Sequence, residues 1–158
     1  MAKNQVNFYV VPVSNLKKLY PYFYISEFIS IAPSDVKELS KVDKQNIERK
    51  YLLKQIYKDY KLRIIVENES RVWLGDDEKT DLSFQFNENG FQKGICNSVF
   101  FRVDENATQK ELSSYFALFS HFDLFLMSFP NPENDYSAKV FQPSYKKIKQ
   151  FTEKHKNY

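Results

Sequence analysis

Six carboxylates crowd into fifteen residues of this chain: Glu67, Glu69, Asp76, Asp77, Glu78 and Asp81, broken only by Arg71 and Lys79, for a local balance of −4. Carboxylates this dense can hold a divalent cation or steer a cationic partner. The spacing argues against the cation. A restriction-type nuclease sets an Asp and a Glu-x-Lys on adjoining strands, and no Glu-x-Lys follows an apolar strand here. A calcium loop of the EF-hand kind needs alternating acids, a glycine at position six and a glutamate at position twelve, and the stretch has neither. Two readings stay open: a solvated hairpin loop, or an acidic docking surface with an aromatic anchor. Tryptophan is over-represented among residues that carry binding energy, and acidic groups steer a basic partner. The docking reading selects Trp73, Asp76, Asp77, Glu78 and Asp81, all expected on one exposed loop.

A second cluster is basic. From Lys139 to Tyr158 there are six Lys and one Glu, a balance of +5, so the other 138 residues sum to −2 within a net charge of +3. Lys146, Lys147, Lys149, Lys154 and Lys156 can contact phosphates, with Tyr145 and Tyr158 available for stacking. Equally, Tyr145, Ile148 and Phe151 recur at helical spacing, which would make the lysines a solvated outer face.

Isolated reactive residues add little. His121 lies among Phe119, Phe122 and Phe125, and Asp123, two positions on, leaves the helix on another side. It reads as a structural side chain. His155 falls in the lysine-rich tail. Cys96, the one cysteine, excludes an intramolecular disulfide and reads as a small buried hydrophobe with no assignable activating base. Two His and one Cys cannot build a finger-type zinc site. No Ser-His-Asp set, His-Glu-x-x-His run or paired-cysteine motif occurs, and with 3 Gly a glycine-rich phosphate loop is excluded. No catalytic residue, metal or cofactor is therefore expected.

These residues need a scaffold. At 158 residues one domain spanning 1–158 is expected, with an aromatic core drawn from 15 Phe and 11 Tyr. Residues 7–13 read as a strand, with Pro12 at its end or on a sheet edge. Residues 14–19 read as a short turn; 22–31 fit either a strand or a buried helix; 34–39 read as a capped turn. Asp43 to Tyr60 is amphipathic, with Ile47, Tyr51, Ile56 and Tyr60 at helical spacing. Strands are expected at 61–66, 71–74, 82–86 and 98–103. Asn89-Gly90 predicts a two-residue hairpin turn, with Phe91 opening the return strand. Thr108 and Glu111 match a capping box, predicting a helix from there to about Ser128. After a loop at 131–137 comes a basic helix over about 144–155. Short links between the middle strands imply antiparallel pairing, so the expected class is α+β, with about four to six strands and helices mainly on one face.

The aromatic strand Val99-Phe100-Phe101-Arg102-Val103 feeding a capped apolar helix from Thr108 to Met127 resembles the immunity proteins of bacterial polymorphic-toxin systems, over about residues 61–128. That resemblance implies a protein that binds a cognate toxin or effector and occludes its active site. It implies no catalytic residue. The start, Met1 to Gln5, lacks the charged-then-apolar layout of a signal peptide, and no apolar run is long enough to span a bilayer. A cytoplasmic protein is expected, with a protein partner, or with nucleic acid held by the C-terminal lysines.

Overall fold

The computed structural model describes residues 5–42, 47–59, 62–76, 78–128 and 138–156, with residue 59 and the last four by backbone alone. Strand β1 (Gln5–Pro12) leads into helix α1 (Val13–Leu19). A three-residue strand β2 (Ile29–Ile31), a 3-10 turn over Pro33–Asp35 and a single helical turn α2 (Val36–Leu39) follow. Helix α3 (Arg49–Asp59) precedes a run of hairpins, β3 (Ile64–Glu67), β4 (Arg71–Gly75), β5 (Asp81–Phe86) and β6 (Cys96–Asp104). Helix α4 (Gln109–His121), strands β7 (Leu124–Ser128) and β8 (Ala138–Phe141) and helix α5 (Tyr145–Lys156) complete the chain.

The strands join in one antiparallel sheet of eight, ordered β2-β8-β7-β1-β6-β5-β4-β3. Alternation along each strand decides what each face meets. Phe8, Phe84, Phe101 and Leu126 point to one face and pack with Leu52 and Ile56 of α3, Leu112 and Phe119 of α4, and Ile148 of α5. Rings dominate this layer. Phe101 meets Phe119 edge-on at 5.0 Å, and Phe141 stacks on Phe151 at 5.1 Å. The opposite face is covered only toward the β2 end. There Val11, Phe125, Met127 and Val140 pack with Leu16 of α1 and Leu39 of α2.

The expected α+β class is observed, but the sheet has eight strands where about four to six were expected. Two strands, β7 and β8, are not among those expected. The expected helix to Ser128 stops at His121, and Leu124–Ser128 is β7. The chain turns at Asp123, whose φ of 51° is a left-handed conformation that Asp tolerates better than most residues. Ala138–Phe141, for which the sequence suggested no element, forms β8. Pro12 does end its strand, but β1 is internal to the sheet. Helices also occupy both faces, with α1 and α2 on the smaller covered area.

Other local expectations divide. Thr108 Oγ1 accepts the Glu111 amide at 3.2 Å, as a helix cap should. The Asn89-Gly90 turn is not type I′: Asn89 is extended at φ −135°, and a 3-10 turn covers Gly90–Gln92. The loop closes instead through Asn87 and Ile95, and Phe91 sits fully exposed on it, with the return strand starting at Cys96. In α3 the buried residues are Leu52 and Ile56, while Tyr51 faces outward under Lys50. Residues 43–46, 60 and 131–137, which carried the expected helix start, Tyr60 and a loop, lie outside the described residues. No helix among those described is long and apolar enough to cross a membrane.

Candidate binding face

The uncovered part of the second face spans β1, β6, β5 and β4. Register brings Tyr9 opposite Phe100, Phe100 opposite Ser83, Ser83 opposite Trp73, and Arg102 between Asn7 and Asp81. All of these point away from the α3–α5 layer, because their neighbours Phe8, Phe101, Leu82 and Leu74 point into it. Two aromatic rings here are substantially exposed, Tyr9 at 38 % and Phe100 at 43 %, and they meet edge-on at 6.4 Å. A shallow cavity of about 410 Å³ is lined by Tyr9, Arg71, Trp73, Ser83, Phe100 and Arg102 among others.

At its centre is a buried carboxylate. Asp81 is 2 % exposed and accepts three hydrogen bonds. Arg102 donates through Nε to Oδ1 at 2.8 Å and through Nη2 to Oδ2, and Trp73 Nε1 donates to Oδ2 at 2.8 Å. A carboxylate so deeply desolvated persists because a bidentate guanidinium and an indole N–H satisfy it. Its three hydrogen bonds hold Arg102 and Trp73 in place, so it serves as an anchor for both. The Arg71 guanidinium lies over the Trp73 ring with Cζ 4.3 Å from the centroid, and Arg71 Nε donates to Ser83 Oγ at 3.1 Å. Each of the four side chains is therefore fixed by the next, and the face is set before any ligand arrives.

The turn between β4 and β5 makes this geometry possible. Gly75 has φ of 103°, and an added Cβ would run into Tyr115 Oη and the Thr80 carbonyl. Tyr115 donates to that same carbonyl at 3.1 Å, tying the turn to α4, while Thr80 Oγ1 accepts the Asp104 amide at 3.1 Å. Burial raises the Tyr115 hydroxyl well above its ordinary value, and the charges of Asp81, Asp76 and Glu111 add to the rise. It stays a protonated donor throughout the physiological range.

The acidic stretch is thereby split. Asp81 does not lie on an exposed loop: it starts β5 and is buried, because Arg102 opposite it in the sheet offers a matched partner. Trp73 is in the middle of β4 and half-buried. Asp76 stays in the turn, where its Oδ1 accepts the Glu78 amide at 3.0 Å. It borders a separate cavity of about 400 Å³ shared with Lys79, Lys110 and Glu111, where charges of both signs meet. Glu78 is exposed, and Asp77 lies outside the described residues. The four described residues do not form one acidic patch. Tyr9, Phe100, Arg71 and Arg102 share the face with Trp73, and the sequence reading passed over them as sites. Period-two alternation in Ser98–Val103 and Arg71–Leu74 was the signal that could have found them, since large side chains on the face opposite the core need a reason to be there.

The basic C-terminal helix is on the other side of the sheet. Phe151 of α5 packs on Phe8 at 5.9 Å, so α5 covers the core layer. Two of its lysines are occupied internally. Lys147 Nζ donates to the Ile25 carbonyl at 3.3 Å and lies over Phe28, and Lys149 Nζ donates to the Glu105 carbonyl at 2.7 Å. Burial lowers the pKa of Lys147. Lys146 is exposed, and the side chains of Lys154 and Lys156 lie outside the described set. Cys96 is buried, with its thiol pushed up to about 12 by burial. His121 is exposed at the end of α4, edge-on to Phe122 at 4.9 Å, not enclosed among the phenylalanines around it. Among the described residues no three His, Cys, Asp or Glu side chains come together as a metal site. No protein-family model matches this chain, and neither the curated proteins nor the solved structures return a match to it.

Proposed function

We propose that this chain is a non-catalytic protein-binding module that docks its partner on the open sheet face around Trp73. The immunity-type reading sharpens this: an inhibitor that holds a cognate toxin or effector and occludes its active site. One observation carries the proposal. Among the described residues no helix packs on the second face of β4, β5, β6 and the start of β1, and there the sheet carries Trp73, Tyr9, Arg71 and Arg102, residue types enriched in binding hot spots, with Phe100 beside them. The rigid network around Asp81 supports the same reading, because side chains held in place lose little entropy on binding. The alternative expected from the sequence, nucleic acid held by the lysines of α5, draws less support, since Lys147 and Lys149 are engaged with carbonyls of the chain itself. The test is capture of a partner by the tagged protein, repeated with Trp73→Ala and Phe100→Ala. Capture lost in both variants, with far-UV circular dichroism unchanged, supports the face. Capture as strong as by the parent protein rules it out.

A further inference from the structure

The sequence pointed to an acidic surface seeking a basic partner. On the open face, beside Trp73, the charge without an ion-pair partner among the described residues is a cation. Asp81 is engaged internally, buried and accepting three hydrogen bonds from Arg102 and Trp73. Asp104, further along β6, turns its Oδ1 to the Asn106 amide. Among the described residues nearest Trp73, two guanidinium groups stand against one carboxylate, a local surplus of one positive charge, while Asp104 keeps its charge at the far end of β6. That surplus sits on Arg71. The ion pairs among the described residues are Arg49–Glu67, Lys50–Glu48 and Arg102–Asp81, so Arg71 has no carboxylate partner there. Its Nε is used by Ser83, its flat side rests on Trp73, and its two terminal nitrogens make no hydrogen bond to a described residue.

Resting on the protein-binding reading, we infer that the partner presents an acidic residue, Asp or Glu, whose carboxylate takes the terminal edge of the Arg71 guanidinium, flanked by an apolar or aromatic side chain on Phe100 and Tyr9. A planar guanidinium held at Nε and backed by an indole is pre-set for two parallel N–H···O bonds to a carboxylate. Trp73 below it and the cavity around it lower the local exposure, so the pair forms partly out of water and gains strength. Phosphate would satisfy Arg71 as well. A nucleic-acid backbone, however, needs a track of cations, and among the described residues this face offers one cation without an ion-pair partner while α5 lies on the opposite side of the sheet. A single anionic contact among aromatic rings fits a protein side chain.

The inference is tested with a phage-displayed library of random peptides selected on the immobilised full chain, keeping the clones that Trp73→Ala fails to retain. Those clones should be enriched in Asp or Glu beside an apolar residue. The matching synthetic peptides should bind about tenfold or more weakly to Arg71→Gln and weaker still to Arg71→Glu, with Arg71→Lys recovering part of the loss. Thermal melts of the three variants establish that each is folded, and Arg71→Lys serves if the others are not. Retained peptides that are basic or uncharged, or an affinity unchanged in Arg71→Glu, would overturn the acidic partner while leaving the docking face standing. No clone sensitive to Trp73→Ala would remove the face and the inference together. Fluorescent oligothymidylate and oligouridylate are measured in parallel. Binding of either that is lost in Arg71→Gln would assign the face to nucleic acid and overturn the inference.

Discussion

Phe100 and Phe101 are neighbours in one strand and lead opposite lives. Phe101 lies in the ring cluster beneath α4, fully buried; Phe100 looks out across the open face beside Tyr9. The same contrast separates the two ends of the sheet. Around β7 both faces are covered, by the α3–α5 layer on one side and by α1 and α2 on the other, and the strand reads Leu-Phe-Leu-Met without a break. Around β5 one face is open, and the strand alternates Leu82, Phe84 and Phe86 inward with Asp81, Ser83 and Gln85 outward. The helix-covered layers carry the stability. The open half keeps large side chains that stability does not demand, and it spends a buried ion pair to hold them still.

That contrast can be broken or sharpened by substitution. Phe101→Ala should cost about 3–5 kcal/mol of unfolding free energy in urea titration, as a large cavity in a close-packed core does. A loss similar to that from Phe100→Ala would mean the two faces are not so different. Asp81→Ala comes next, at about 3 kcal/mol, because it strands the Arg102 guanidinium and the Trp73 N–H without their acceptor. An unchanged denaturation midpoint would show that Asp81 holds nothing together. Asp123→Val should cost about 1–2 kcal/mol by forcing a branched side chain into a left-handed turn, whereas Asp123→Gly should be near neutral. Phe100→Ala should move stability by less than about 1 kcal/mol while weakening partner capture by tenfold or more.

A pH experiment probes the covered layer directly. Burial lifts the Cys96 thiol from an ordinary 9.0 to about 12. The folded protein keeps this proton where the unfolded chain gives it up, so the stabilisation is fully present below about pH 9 and is lost as pH rises toward about 12. Unfolding midpoints should fall over that alkaline window in the parent protein and fall less in Cys96→Ala. Iodoacetamide should label the native thiol slowly at about pH 8 and quickly once the chain is unfolded. Fast labelling of the native state would place Cys96 outside the core.

Much of the fold was legible where local chemistry acts alone. Thr108 and Glu111 marked a helix start, Pro12 a strand end, and alternation from Leu82 to Phe86 a half-buried strand, because caps, fixed φ and period-two burial depend on nearest neighbours. Leu124–Met127 was misread as helix because a strand buried on both faces has no polar side to reveal its period. The hairpin at Asn89-Gly90 was over-read, since a longer loop closed through Asn87 and Ile95 competes with the tight turn. For the candidate site, Trp73 was found by residue type alone. Arg71, Arg102, Tyr9 and Phe100 were not, as they come from three strands that only the sheet brings side by side.

The residues alone determined the α+β class, the aromatic character of the core, the positions of most strands and the capped start of α4. These follow from side-chain periodicity and local hydrogen bonding. Which acids were solvated and which were buried, which lysines were free and which were tied to carbonyls, and the sign of the charge beside Trp73 were decided by tertiary structure. A carboxylate's neighbours across a sheet are set by strand order and register, and Asp81 meets Arg102 twenty-one positions further along the chain. Linear charge counts cannot anticipate such a pairing, and it takes Asp81 out of the expected acidic loop and into the sheet.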